Sequence, residues 1–211
     1  MTALNIVPDR TRPPSKTTAF YNRNAKRYAE STRDVDMSEV YSRFLQYLKP
    51  GSRILDAGSG SGRDTLEFLK RGYVVEAIDA SASLAELSSK LTGIRTRVLR
   101  FEDFDDEAQF DGIWSCAALL HIPRNILSDV LTSLMLGLTI NGVLYASFKF
   151  GLEDRAADDG RHFTDLDEAA LKRILEQVQC KHKIREIWVA KGSGSRHGQI
   201  MWLNAIIQRD G

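Results

Sequence analysis

Cysteine is scarce in this 211-residue chain: Cys116 and Cys180 stand far apart, outside any CxxC or Cys/His cluster. That usage excludes a disulfide framework and suggests no metal site, so a reducing cytoplasm is the expected compartment. Long apolar runs are absent as well. No stretch approaches the roughly 18 residues of a membrane span, and the opening MTALNIVPDRTRPPSK lacks the apolar block of a signal peptide. Neither a membrane partner nor export is expected. An excess of one charge is also missing: 29 Lys and Arg against 28 Asp and Glu leave a formal charge of +1. Nothing global therefore draws the chain to nucleic acid, and charge must be read locally.

What is present is ordinary globular composition, 43% hydrophobic and 27% charged, at a length that suits one domain better than two. Residues 1–15 hold Pro8, Pro13 and Pro14 among scattered charges and read as a flexible tail. Residues 16–211 read as the single domain. Phe20, Tyr21, Ala25 and Tyr28, then Val40, Phe44, Leu45 and Leu48, recur at helical spacing, which predicts two amphipathic helices, the second stopped by Pro50-Gly51. Beyond them, β-like runs at 53–57, 74–79, 96–101, 111–116, 142–148, 184–189 and 199–207 alternate with helical patterns at 64–71, 82–91, 126–138 and 165–179. Such alternation implies right-handed βαβ crossovers and a parallel sheet covered on both faces. Only AKGSGSRHG separates the last two runs, too short for a crossover helix, so these strands must form an antiparallel hairpin.

The stretch RILDAGSGSGRD ends a strand in Asp56 and places glycines at 58, 60 and 62 before a helix. Backbone N–H groups and a helix N-terminus there suit a charged ligand. A P-loop would need Gly-Lys-Ser/Thr, but Arg63 and Asp64 follow Gly62. A dinucleotide fingerprint, GxGxxG, fails too, with Arg63 or Thr65 where its last glycine belongs. That leaves loops in which an acid precedes GxGxG, here Asp56-Ala57-Gly58-Ser59-Gly60-Ser61-Gly62.

DAGSGSG, followed by Asp79 at the end of the second strand, resembles the class I S-adenosylmethionine-dependent methyltransferases over roughly residues 17–207. FDGIWSCAALLHIP and INGVLYASFK resemble that family's fourth motif and the helix-turn-strand after it, and GSGRD, HIP and FTD are similar to small bacterial tellurite-resistance and ubiquinone-biosynthesis types. The resemblance implies an α/β, Rossmann-like, seven-stranded mixed sheet of order 3-2-1-4-5-7-6. The last strand is antiparallel, helices cover both faces and a helical lid precedes the sheet. It implies S-adenosylmethionine as cofactor, S-adenosylhomocysteine as product, and a small-molecule acceptor of thiol, oxyanion or quinone type.

By register with the family, Asp56, Ala57, Gly58 and Gly60 would face the methionine part of the cofactor, and Asp79 with Ala80 its ribose. A carboxylate at Asp79 accepts hydroxyl hydrogen bonds and would repel a 2'-phosphate. Asp103 would accept from the adenine, with Phe101 or Phe104 against the ring; Arg63 would reach the cofactor carboxylate, and Cys116 would lie near it. Tyr21, on the helix before the sheet, would close over a sulfonium with its aromatic face. His121 is the candidate base, since an imidazole titrates near neutral pH. Acceptor candidates are Tyr28 and His121, then Arg155, Arg161 and His162 after the fifth strand, then Arg196 and His197 in the hairpin. A rival reading uses the basic N-terminal segment (Arg10, Arg12, Lys16, Arg23, Lys26, Arg27) to methylate RNA or protein; solvated helix surface is the plainer account of those charges. A second rival, NAD-dependent hydride transfer, is disfavoured by the broken fingerprint. Nothing in the sequence sets the oligomeric state.

Overall fold

The computed structural model describes residues 13–192 and 200–211. Most of the tail and the hairpin candidates Arg196 and His197 thus lie outside the described residues. Two helices come first, α1 (Lys16–Thr32) and α2 (Ser38–Leu45), followed by β1 (Arg53–Ala57), α3 (Arg63–Lys70), β2 (Val74–Asp79), α4 (Ala82–Thr92) and β3 (Thr96–Val98). After β3 come β4 (Phe110–Ser115), α5 (Arg124–Gly137), β5 (Leu138–Lys149), β6 (Asp154–Ala156), β7 (His162–Thr164), α6 (Glu168–Leu175), β8 (His182–Lys191) and β9 (Met201–Arg209). Seven strands form one sheet, β3-β2-β1-β4-β5-β9-β8, while β6 and β7 pair separately. β9 runs antiparallel between β5 and β8, and the remaining pairings are parallel. This is the order and direction expected from the sequence.

Local chemistry explains the starts and stops. Ser15 Oγ accepts from the Thr18 N–H and opens α1; Ser81 does the same for α4 through Leu84. α2 ends at Leu45, ahead of the expected Pro50-Gly51 stop, because residues 46–48 have already turned. The third strand is shorter than expected: after Val98 the chain bends, and Phe101–Asp103 form a single 3-10 turn.

Burial of both sheet faces accounts for near-continuous apolar strands. One face packs Leu55, Ile113, Leu144 and Phe148 against Leu127, Leu131 and Leu134 of α5 and Leu171 of α6. The other packs Ile54, Trp114 and Tyr145 against Tyr41 and Phe44 of α2 and Phe68 of α3. At its centre the Trp114 and Tyr145 rings stack with centroids 4.1 Å apart.

The segment after β5, expected as a loop, is instead the β6–β7 hairpin. It is clipped to α1 by the His162 N–H, which donates to Thr17 Oγ1 at 3.0 Å. α1 is anchored from the other side by Asn22, whose Oδ1 accepts from Ser81 Oγ at 2.7 Å. Helix and hairpin together roof the C-terminal ends of β1, β2, β4 and β5.

Candidate functional site

Two cavities lie under that roof. The first, about 560 Å³, is walled by Gly58, Gly60, Asp79, Ala80, Phe101, Glu102 and Ala118, with Leu84 and Ile126 as apolar sides. The second, about 360 Å³, takes Arg63, Cys116, Lys149, Arg161, Phe163, Trp202 and Asn204. Both volumes fall in the range of about 300–1,000 Å³ typical of small-molecule sites. Tyr21, Tyr28, Ala117 and His121 line both, so the cavities share a wall.

The first cavity is built by the glycine turn. Gly58 and Gly60 adopt φ of +82° and +57°, conformations that side chains disfavour. A Cβ on Gly58 would sit 2.3 Å from Ala118 Cβ, and one on Gly60 3.3 Å from the Tyr28 ring. Asp79 holds the turn in place, accepting from the Gly60 N–H and the Ser81 N–H, each at 2.8 Å. Burial pushes its carboxyl up to about 6, and the Ser81 and Gly60 N–H donors only partly oppose that rise. Ala80 follows it on the wall.

Other residues expected around a cofactor stand elsewhere. Asp56 is off the cavity wall: it is buried and accepts from Thr65 Oγ1 at 2.5 Å. Burial, reinforced by the nearby Asp64 charge, raises its carboxyl above the ordinary carboxylate range. Ala57 is packed in the core, since the strand buries both faces before the turn begins. Phe104 is also a core residue, its ring filling the space that Gly137 leaves open, while Phe101 takes the cavity wall. The 3-10 turn rotates Glu102 rather than Asp103 onto that wall.

Arg63 and Cys116 line the second cavity rather than the first. Arg63 is clamped by Asp64 at 2.6 and 2.9 Å, and Asp64 also accepts from Tyr41 Oη at 2.5 Å and Trp114 Nε1 at 2.8 Å. This buried carboxylate fixes the guanidinium, whose Nη2 lies 3.9 Å from Cys116 Sγ. Burial pushes the Cys116 thiol up to about 12, so it stays protonated at neutral pH.

The shared wall carries the most defined polar chemistry. His121 Nδ1 lies 2.7 Å from the His162 carbonyl, which can only accept, so Nδ1 carries the proton. The neutral ring therefore presents Nε2 as an acceptor, and the Tyr21 hydroxyl donates to it at 2.9 Å. Burial pushes the His121 imidazole down to about 4; the His162 carbonyl opposes this, and Arg161 and Lys149 add to it. Burial likewise raises the Tyr21 and Tyr28 phenols. The three rings meet edge to face, Tyr21 centroids being 5.1 Å from Tyr28 and 5.4 Å from His121. Ala117, beside them, is held at φ +52° with its N–H on Ser147 Oγ, 2.8 Å away. Such a strained residue in a ligand wall has no sequence signal.

The hairpin residues divide. Arg161 reaches the second cavity, its guanidinium paired with Asp159 at 2.7 Å and lying 4.3 Å from the Phe20 centroid. His162 lines the first cavity, with Nε2 2.9 Å from Thr164 Oγ1. Arg155 misses both: it is exposed and bound at 2.7 Å to Asp165, which ties the hairpin to the chain after it. Lys149, Trp202 and Asn204 are site residues that the sequence reading missed. Lys149 alone had a signal, being the first charged residue after the apolar run of the fifth strand, at the end where open α/β sheets bind ligands.

Comparison with known proteins agrees with this architecture. A 1,6-didemethyltoxoflavin-N1-methyltransferase from Burkholderia thailandensis, solved with 1,6-didemethyltoxoflavin and S-adenosylhomocysteine, superposes with a TM-score of 0.72 at 22% identity, covering 95% of this chain and 92% of that one. Magnesium protoporphyrin IX methyltransferase from Synechocystis PCC 6803, with bound S-adenosylmethionine, gives 0.66 at 16% identity, covering 90% and 94%. At these identities the likeness is one of fold. An "uncharacterized methyltransferase" of Staphylococcus carnosus (strain TM300) is 30% identical over 117 residues, 54% of this chain. The match spans 56% of that relative's length. A family model described as a methyltransferase domain matches residues 28–181, from the tyrosine facing the glycine turn to the residue before β8, and the chain belongs to that family.

Proposed function

We propose that the chain transfers a methyl group from S-adenosylmethionine to a small molecule, the cofactor in the first cavity and the acceptor in the second. The observation that carries this reading is the wall of Tyr21, Tyr28, Ala117 and His121 common to both cavities. In-line displacement at carbon needs donor and acceptor brought end to end and water kept away.

The first cavity fits the cofactor by its donor set. Asp79 offers carboxylate oxygens to the ribose hydroxyls, Phe101, Leu84 and Ile126 offer apolar surface to the adenine, and Gly58 and Gly60 leave backbone open to the amino acid end. S-adenosylmethionine supplies an electrophilic methyl carbon on a positively charged sulfur. Tyr21 and Tyr28 close that end with aromatic faces, which favour a cation, and α1 with the β6–β7 hairpin shields it from solvent. Neutral His121 can take a proton, through the Tyr21 hydroxyl that already donates to it. An acceptor that is already anionic needs no such transfer.

The volume of the second cavity, about 360 Å³, favours a small acceptor over RNA or a protein, with α1 giving Tyr21 and Tyr28 and the hairpin Phe163 to its lining. Among the basic residues of α1, Arg27 is engaged by Asn24 at 3.0 Å on the exposed side. Both thiols are free, which fits a reducing cytoplasm, and residues 16–211 serve as one catalytic unit.

Calorimetric titration with S-adenosylmethionine, S-adenosylhomocysteine and NAD tests the core of the proposal. Binding of the sulfur ligands without NAD is expected. NAD binding with neither sulfur ligand would refute it.

A further inference from the structure

The second cavity is unbalanced in charge. Three of its cations are buried or half-buried: Arg63, Lys149 and Arg161. Asp64 neutralises Arg63, and Asp159 neutralises Arg161. Asp36, the acidic residue of the lining, is exposed and spends Oδ1 on the Ser38 N–H at 2.9 Å. Lys149, at the end of β5, has no ion pair among the described residues. Its ammonium instead lies over the buried Phe163 ring, 3.9 Å from the centroid.

That ring does not account for the lysine. Arg155 and Arg161 crowd the same phenyl at 4.5 and 5.1 Å, so three cations share one quadrupole. A ring face attracts a cation by about 0.5–2 kcal/mol, and the cations repel one another. The carboxylates closest to serving Lys149, Asp165 and Asp159, are held by Arg155 and Arg161. Burial, with Arg155 and Arg161 adding to it against Asp165 and Asp159, lowers the Lys149 ammonium. The same positive field reaches His121 across the cavity. A fold that keeps a half-buried ammonium uncompensated and facing a cavity has left a place for an anion.

We infer that the methyl acceptor carries an anionic group, a carboxylate or comparable oxyanion, that docks on Lys149 while its apolar body lies among Met37, Val40, Leu120 and Trp202. Arg161 is the second cation within reach of that group. The inference rests on the methyl-transfer reading and specifies its acceptor. Lys149 is thereby the residue that selects by charge, and α1 and the hairpin select by size.

Matched probes test it without knowledge of the natural acceptor. Wild type, Lys149→Met and Lys149→Arg are first titrated with S-adenosylhomocysteine, which tests the cofactor reading by itself. The loaded proteins are then titrated with benzoate against benzamide and with 2-naphthoate against 2-naphthamide at pH 7. Wild type should prefer each carboxylate by about tenfold or more, the equivalent of about 1.4 kcal/mol. Lys149→Met should lose that preference and Lys149→Arg should keep most of it. A wild type that binds S-adenosylhomocysteine yet prefers the amides, binds both alike or binds neither overturns the inference and leaves the methyl-transfer reading standing. So does an undiminished preference in Lys149→Met.

Discussion

If Asp79 holds the ribose of the cofactor as proposed, cofactor affinity should depend on pH. The Asp79 carboxyl is pushed up to about 6 by burial, and only the ionised form accepts hydrogen bonds from both ribose hydroxyls while keeping those from Gly60 and Ser81. Binding must then drive off a proton below pH 6. With a pKa of about 6, the ionised fraction falls about tenfold between pH 7 and pH 5, so the Kd for S-adenosylhomocysteine should rise about tenfold. Asp79→Asn keeps the volume and one acceptor but removes the charge. It should weaken binding at pH 7 by about 10- to 150-fold, from the 1.5–3 kcal/mol of hydrogen bonds to a charged group, and it should flatten the pH dependence.

Stability should move the other way. A carboxyl raised from about 3.8 to about 6 is protonated more readily in the folded chain, so it favours the fold at low pH and that contribution is lost as pH rises through this window. Two units correspond to at most about 3 kcal/mol, and the realised value is smaller because the carboxylate opens on the cavity. Wild type free of ligand should therefore lose stability as pH rises from 5 to 7, a slope absent from Asp79→Asn, whose NH2 leaves the Gly60 or Ser81 N–H without an acceptor at every pH alike. Calorimetric titration at pH 5, 6 and 7, with melting curves of the free proteins, measures both effects. A wild-type Kd that does not change between pH 5 and 7, or an Asn variant that retains the slope, refutes the reasoning. In the second case the titrating group is another one, and buried Asp56 is the first to examine.

Gly58→Ala should lower the melting temperature and abolish S-adenosylhomocysteine binding. Its Cβ would lie 2.3 Å from Ala118 Cβ at a φ of +82°, and the left-handed conformation alone costs about 1–2 kcal/mol. Near-wild-type binding in this variant would contradict the tight turn. His121, held near 4 by burial, should contribute no titration to turnover between pH 6 and 8, as followed by S-adenosylhomocysteine release. Its depressed value means that the unfolded chain binds the proton more tightly, so stability tied to His121 is complete above about pH 6.5 and lost as pH falls towards 4; His121→Gln should remove that acid-side slope from denaturant curves. Tyr21→Phe should preserve cofactor affinity within a few fold. A protonated acceptor would then show a fall in kcat with KM little changed, whereas an anionic acceptor would show nearly full kcat.

Beyond the strand order, which came with the family resemblance, the sequence by itself determined the alternation of strands and helices, the antiparallel hairpin and the place of the glycine turn. These follow from local patterns: apolar runs of strand length, helical periods between them, and AKGSGSRHG too short to cross over. The positions of Asp79, Gly58 and Gly60 on the cavity wall were legible from register with the family motif, and that of Tyr21 from the helix that the resemblance sets before the sheet. Facing was not legible. Asp56 and Ala57 sit in register with the motif yet turn into the protein, and one 3-10 turn put Glu102 on the wall in place of Asp103 and chose Phe101 over Phe104. The hairpin β6–β7 sent Arg155 outward to Asp165 and Arg161 inward to Tyr21, a difference set by strand pairing rather than composition. Lys149 shows the limit most clearly. Its position at a strand end was readable, but that no described carboxylate pairs with it depends on where Asp159 and Asp165 find their arginines, and only the packed chain decides how charges far apart in sequence are shared.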